Sequence, residues 1–246
     1  EQAERLLAHD LDQAAVIQRS LFPQTPPSCE GLDLAGRSLP CRSVGGDYFD
    51  YIPLADGRQL VIVADVSGKG LAASLLMSSL QARVQALAEI ETDIARLVSR
   101  LNHSLKANTP DNKFITGFFA AIHPQTGAME YSNAGHNPPV IVRANGELEL
   151  MTKGGPVLGI LPNIPYAGGT TVLNKGDVLV MYSDGVSEAP NAQGEEFGEE
   201  AVGQIAASCR DRSANEVLME IARQLRVFLG DLAPTDDVTM VIARKT

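Results

Sequence analysis

Strand-length apolar runs come in blocks along this sequence, and the helix-length segments between them come in pairs. After the strand-like "LDLAGRSLP", "GDYFDYIPL" and "QLVIVADV" stand two amphipathic stretches, "LAASLLMSSLQARVQALAEI" and "DIARLVSRLNHSLKAN". Further strand-like runs follow: "FITGFFAAI", "GAMEYSN", "PPVIVRA", "ELELM" and "DVLVMYSD", most of them bounded by Gly, Pro or Asn. A second helix pair, near 199–209 and 213–229, precedes the last strand, "VTMVIARK". A doubly wound parallel sheet needs a helix between successive strands. This order instead predicts an α+β layer architecture with antiparallel strands.

Residues 1–22 hold no Gly or Pro and place Leu7, Leu11, Ala14 and Leu21 at helical spacing. Pro23, Pro26 and Pro27 then stop the helix. The chain therefore divides into an N-terminal amphipathic helix, 1–22, and one domain, 23–246. The helix reads either as an element packed on the domain or as a coiled-coil or signalling linker, and Gln18 on its seam weakens the coiled coil. The first residue is glutamate, so the expectation is a piece cut from a longer protein.

Charge narrows the partners. A formal net charge of -10 argues against nucleic acid, which requires concentrated Lys and Arg, and favours cations. Three widely spaced cysteines make neither a disulfide framework nor a zinc knuckle. That cysteine pattern makes a reducing cytoplasm the expected location, and no apolar run approaches the roughly 20 residues a bilayer requires. The cytoplasmic part of a membrane-anchored sensor is the other reading.

The acids share one type of location. Asp47 precedes a strand, Asp65 ends "LVIVAD", Asp184 ends "VLVMYSD", and Asp236 and Asp237 immediately precede "VTMVIAR". Any one of them could be a turn residue or helix cap. Together, if the strand ends converge, they form an oxygen-only cage on rigid backbone, suited to Mg²⁺ or Mn²⁺. Two such ions, roughly 3.5–4 Å apart, can lower the pKa of a shared water for in-line attack on a phosphoryl group. The residue-level expectation is thus a two-metal hydrolase.

The blocks "SVGGDYFDY", "VADVSGKGLAASLLM", "YSNAGHNPPVI", "GGPVLGI", "GDVLVMYSDGVSEAPNAQGEEFG" and "TDDVTMVI" occur in an order that resembles the bacterial metal-dependent serine/threonine phosphatases, PPM or type 2C. More narrowly, they resemble the branch of the sporulation stage II E phosphatase and the activators of stress sigma factors. The resemblance implies a four-layer αββα sandwich with the metals in a cleft at one sandwich edge. It implies that Asp47 and Asp65 bridge or hold two Mn²⁺ or Mg²⁺ ions, that Val66 offers its backbone carbonyl, and that Asp184 and Asp236 complete the first site. Asp237 would support a ligand or bind a third ion, and Asp50 would be structural. Catalysis would run through water held on those ions. The implied partners are a phosphorylated protein, such as a small anti-sigma-factor antagonist, an upstream sensor or receiver domain, and a second copy through the N-terminal helix.

The departures are chemical. "DVSGKG" lacks the histidine that eukaryotic relatives place after the corresponding acid, so the general acid is unassigned. His136 is a weak substitute and reads better as a turn residue satisfied by backbone; His103 and His123 are weaker still. No residue matches the phosphate-gripping arginine, leaving Lys69 and Arg42 as candidates. Two rivals exist. A non-catalytic phosphoprotein-binding module would keep the fold without the chemistry. A diguanylate cyclase is suggested by "GGDYF", but Tyr48 stands where the cyclase motif has an acid.

Overall fold

The computed structural model describes residues 2–246. In chain order the elements are α1 (Gln2–Leu21), β1 (Leu32–Leu39), β2 (Tyr48–Pro53), β3 (Gln59–Val66), α2 (Leu71–Ala88), α3 (Ile94–Lys106), β4 (Ile115–Ile122) and β5 (Ala128–Ala134). They continue with β6 (Val140–Val142), β7 (Leu148–Leu150), β8 (Gly154–Gly155), β9 (Gly169–Val172), β10 (Val178–Tyr182), α4 (Asp184–Ser187), α5 (Glu199–Ser208), α6 (Ala214–Leu229) and β11 (Val238–Lys245). One sheet runs β1-β11-β10-β6-β7; the other runs β2-β3-β4-β5-β8, with β9 also on β5. Among the described residues only the short β5–β8 pairing is parallel.

Period-two alternation explains the layers. Along β3, Leu60, Ile62, Ala64 and Val66 face a core shared with α2 and α3, whereas Val61 and Val63 face the other sheet. Both faces are buried, so "LVIVA" is apolar without interruption. Strand β10 behaves likewise: Val178, Val180 and Tyr182 pack with α5 and α6, and Leu179 and Met181 point between the sheets. Three apolar clusters therefore separate four layers: α2/α3, sheet, sheet, α5/α6. The paired-helix order thus gives the α+β layers it predicted, and the layers form the αββα sandwich that the resemblance implied.

On α1 the expected seam turns inward from Leu11 on: Gln18 on it and Ala15 beside it are buried, Leu11, Ala14 and Leu21 are half-buried, and Leu7 is exposed. The seam is tied to the glycine loop by a polar residue: Gln18 Nε2 donates to the Gly45 carbonyl (2.7 Å), and its Oε1 accepts from the Gly45 amide (3.0 Å). Phe22, just past the helix, packs on Phe49 with ring centroids 5.4 Å apart. Gln18, which weakened a coiled-coil seam in the sequence, is here the residue that seats α1 on the domain. Among the described residues no helix is long and apolar enough to cross a membrane.

Candidate metal centre

Strand register brings the first two acids together. Tyr48 pairs with Ala64, and continuing that antiparallel register by one step sets Asp47 opposite Asp65. By alternation both lie on the side of Phe49 and Val63, toward the other sheet. From that sheet, β10 ends at Tyr182 opposite Met240 of β11, so the segment after β10 and the segment before β11 reach the same rim. Asp184 and Asp236 sit there. Four carboxylates from two sheets thus meet at one end of the sandwich.

Their electrostatics show how close they are. Burial, and then the neighbouring Asp65 charge, hold Asp47 well above the ordinary carboxylate range. Burial first, then the charges of Asp184 and Asp236, push Asp65 up to about 7. Asp184 is raised by burial and by Asp236. Like charges crowded in a desolvated cleft resist ionisation, and a cation removes that penalty.

The surrounding groups keep the acids in place. Ser183 Oγ donates to Asp47 Oδ2 (2.7 Å) and accepts from the Thr239 amide (3.0 Å), joining the residue before β2 to β11 through one hydroxyl. Asp237 is spent on backbone: Oδ1 accepts from the Cys41 amide (2.8 Å) and Oδ2 from the Gly46 amide (2.7 Å). It fixes the glycine loop that carries Asp47. The two glycines are required by close approach, since a Cβ on Gly45 would lie 2.3 Å from Asp237 Oδ2 and one on Gly46 would lie 2.8 Å from the Val66 carbonyl oxygen. That second contact puts the Val66 carbonyl beside the residue preceding Asp47. Gly185 is constrained similarly, with the Asp237 carbonyl 2.0 Å from where its Cβ would be.

The donor chemistry fits a hard divalent cation. Asp47, Asp65, Asp184, Asp236 and the Val66 carbonyl offer oxygen alone. Cys41 lies near, its Sγ grouped with carboxylate oxygens of Asp236 and Asp237 within 4.8 Å of one another. Burial and the Asp237 carboxylate push that thiol up to about 11.

The other sequence candidates fall away from the centre or acquire different work. Asp50 accepts from Tyr48 Oη and Gln85 Nε2, each at 2.6 Å, and ties β2 to α2. His136 is buried: its Nε2 meets the Tyr182 carbonyl (3.1 Å) and its Nδ1 meets Thr116 Oγ1 (2.9 Å). A carbonyl only accepts, so Nε2 carries the proton and Nδ1 accepts from the threonine. Burial takes His136 down to about 4, leaving it neutral. His103 bonds Asn163 and His123 accepts from the Thr126 amide in a turn. Arg42 is exposed near Gly70. Lys69 is at the rim, with Nζ 2.8 Å from Asp236 Oδ2. Ser183 and Gln18 carried no functional signal in the sequence; "YSD" marks Ser183 only once the strand end is known to face the acids.

Known proteins share this fold. The profile of the family described as stage II sporulation protein E (SpoIIE) matches residues 55–246. Phosphoserine phosphatase RsbU of Bacillus subtilis is 30% identical over 239 residues, covering 96% of this chain and 70% of RsbU. Protein IcfG of Synechocystis sp. is 24% identical over 94% of this chain, which spans 41% of IcfG. In fold, the SiaA-PP2C domain of Pseudomonas aeruginosa superposes with a TM-score of 0.85 at 19% identity, covering 99% of both chains.

Proposed function

The chain belongs to the SpoIIE family, and from that membership we propose that it is a Mn²⁺- or Mg²⁺-dependent protein serine/threonine phosphatase holding two ions. One observation carries the reading: Asp47, Asp65, Asp184 and Asp236 converge from both sheets, and Asp65 is pushed to about 7 by burial and its neighbours. Asp47 and Asp65 are the residues placed to share ions, with the Val66 carbonyl, Asp184 and Asp236 completing the set. Bound there, a divalent cation supplies Lewis-acid polarisation of a phosphoryl oxygen and lowers the pKa of a water nucleophile.

The chain's own residues do the rest. Ser183 fixes one oxygen of Asp47, and Asp237 fixes the loop before it, so the carboxylates need not reorganise when substrate arrives. That work on backbone favours the supporting role for Asp237 over a third ion. Lys69, one-third exposed and paired with Asp236, is the cation placed to meet an incoming phosphoryl oxygen. His136 is not the general acid, because its one N–H is spent on the Tyr182 carbonyl.

The substrate we assign is phosphoserine or phosphothreonine on a protein, in the partner-switching manner of a small anti-sigma-factor antagonist. The chain spans less than half of IcfG, and an upstream sensor joined to α1 fits that difference in length. Leu6, Leu7, Val16 and Ile17 are exposed on α1 and suit a second copy or that upstream domain. Calorimetric titration of Mn²⁺ tests the centre: wild type binds, and Asp65→Asn binds at least tenfold more weakly. Equal affinity in the two proteins would remove Asp65 from the site.

A further inference from the structure

Between Ala134, at the end of β5, and Val140, at the start of β6, the chain crosses from one sheet to the other. Ala134 stands opposite Gly117 on β4, and Val140 stands opposite Val180 on β10, so the crossing lies at the rim where Asp65 and Asp184 meet. His136 sits on it, 5% exposed. The turn is shaped around that residue. Asn133 Oδ1 accepts from the His136 amide (2.7 Å), and Asn133 Nδ2 donates to the His136 carbonyl (3.0 Å). Gly135 has a φ of 65°, and a Cβ there would lie 2.6 Å from Val157 Cγ1.

Each ring nitrogen ends beside a different acid. Thr116, the donor to Nδ1, pairs directly with Asp65 across β3 and β4. By alternation with Phe118 and Ala120 its side chain lies on the inter-sheet face, as does that of Asp65, and such directly opposed residues stand about 5 Å apart at Cβ. The carbonyl that accepts from Nε2 belongs to Tyr182, and the next two residues are Ser183 and Asp184. One neutral ring thus spans the rim from the neighbour of Asp65 to the strand end that presents Asp184. Like charge on these two acids pushes the sheets apart at this point. An apolar side chain would fill the gap without fixing its width, whereas two directed hydrogen bonds, 2.9 and 3.1 Å long, fix it. A Lys or Arg in the same place would set a positive charge against the cations that the acids attract.

We propose that Thr116 and His136 are positioning residues of the phosphatase centre, a strut that sets the separation between the strand ends bearing Asp65 and Asp184 and so the gap a divalent cation must fit. The proposal rests on the phosphatase reading and deepens it. It also gives the "AGHN" turn its work: with both ring nitrogens engaged, His136 acts on the acids through Thr116 and Tyr182 and does not touch substrate.

The test is calorimetric Mn²⁺ titration, together with p-nitrophenyl phosphate turnover at saturating Mn²⁺, in wild type, Thr116→Val, Thr116→Ser, His136→Asn and the double variant Thr116→Val/His136→Asn, with urea unfolding to establish that each is folded. Thr116→Val keeps the side-chain shape and loses the donor: the Mn²⁺ Kd rises about tenfold and kcat falls about tenfold, while KM stays within about twofold. Thr116→Ser keeps the hydroxyl and recovers most of both losses. His136→Asn loses the donor to Tyr182 and falls as far, and the double variant is weaker than His136→Asn by less than about twofold, because both residues act through one ring. Wild-type Kd and kcat in Thr116→Val, whatever its urea midpoint, would overturn the strut, as would a Thr116→Ser no better than Thr116→Val; turnover by wild type would leave the phosphatase standing in either case. If wild type turns nothing over, the Mn²⁺ Kd decides alone. Weaker binding in Thr116→Val than in Thr116→Ser then keeps the strut and counts against the phosphatase, and equal binding in the two sinks the strut.

Discussion

Ser183 joins three segments with one hydroxyl: it donates to Asp47, lies within reach of the Asp237 carbonyl at 3.2 Å, and accepts from the Thr239 amide. Ser183→Ala leaves the buried Thr239 amide without an acceptor and takes one donor from the buried Asp47 carboxylate, a loss of about 1–3 kcal/mol. Urea unfolding should show that loss, with weaker Mn²⁺ binding alongside. His136 supplies a pH dependence of defined sign. Its folded pKa of about 4 lies below the ordinary 6.5, so the unfolded chain takes the proton first as pH falls. Stability is unaffected above pH 6.5 and is lost progressively down to pH 4, by about 3 kcal/mol. Asp65 acts oppositely, because a carboxyl raised to about 7 makes the metal-free folded state hold more protons and lose stability as pH rises from about 4 to 7. The difference between wild type and His136→Asn, followed by urea midpoints from pH 4 to 7 in chelator, isolates the histidine: the variant should lack the acid-side loss. The same slope in both proteins would contradict a buried neutral His136.

The strands were legible because their periodicity is a local property. "LVIVAD" announces a strand buried on both faces, and the same alternation places Asp65 at its end and toward the partner sheet. The helix pairs were legible for the same reason, from apolar spacing and the absence of breakers. Long-range polar contacts were not. Gln18 reaches Gly45 across 27 positions, and Asp237 reaches Cys41 across 196, and nothing in either residue's neighbourhood names its partner. The stripe Leu7, Leu11, Ala14 and Leu21 marked the face of α1 that turns inward from Leu11 on, but not that Gln18 on that face would hydrogen-bond a loop. Gln18→Ala should therefore free the end of α1: hydrogen exchange in residues 14–21 rises at least tenfold, and the Gly45 amide, left unsatisfied, costs about 1–3 kcal/mol. Unchanged exchange would mean that Phe22 alone holds the helix.

Four layers around three apolar clusters make a rigid frame, and the acids occupy one rim of it, where both sheets end. The position of each acid at a strand end could be read from sequence, while their meeting could not, because convergence depends on how the two sheets stack. The resemblance supplied that step, and the mutual pKa elevation of Asp47, Asp65 and Asp184 gives it physical content. The decisive measurement is phosphate release from a phosphoserine peptide with Mn²⁺, with Mg²⁺ and with chelator, in wild type, Asp65→Asn and Asp184→Asn. The account predicts metal-dependent turnover in wild type, abolished by chelator, and a loss of at least about a hundredfold in each variant. Turnover that persists in chelator, or that survives in both variants, would contradict it.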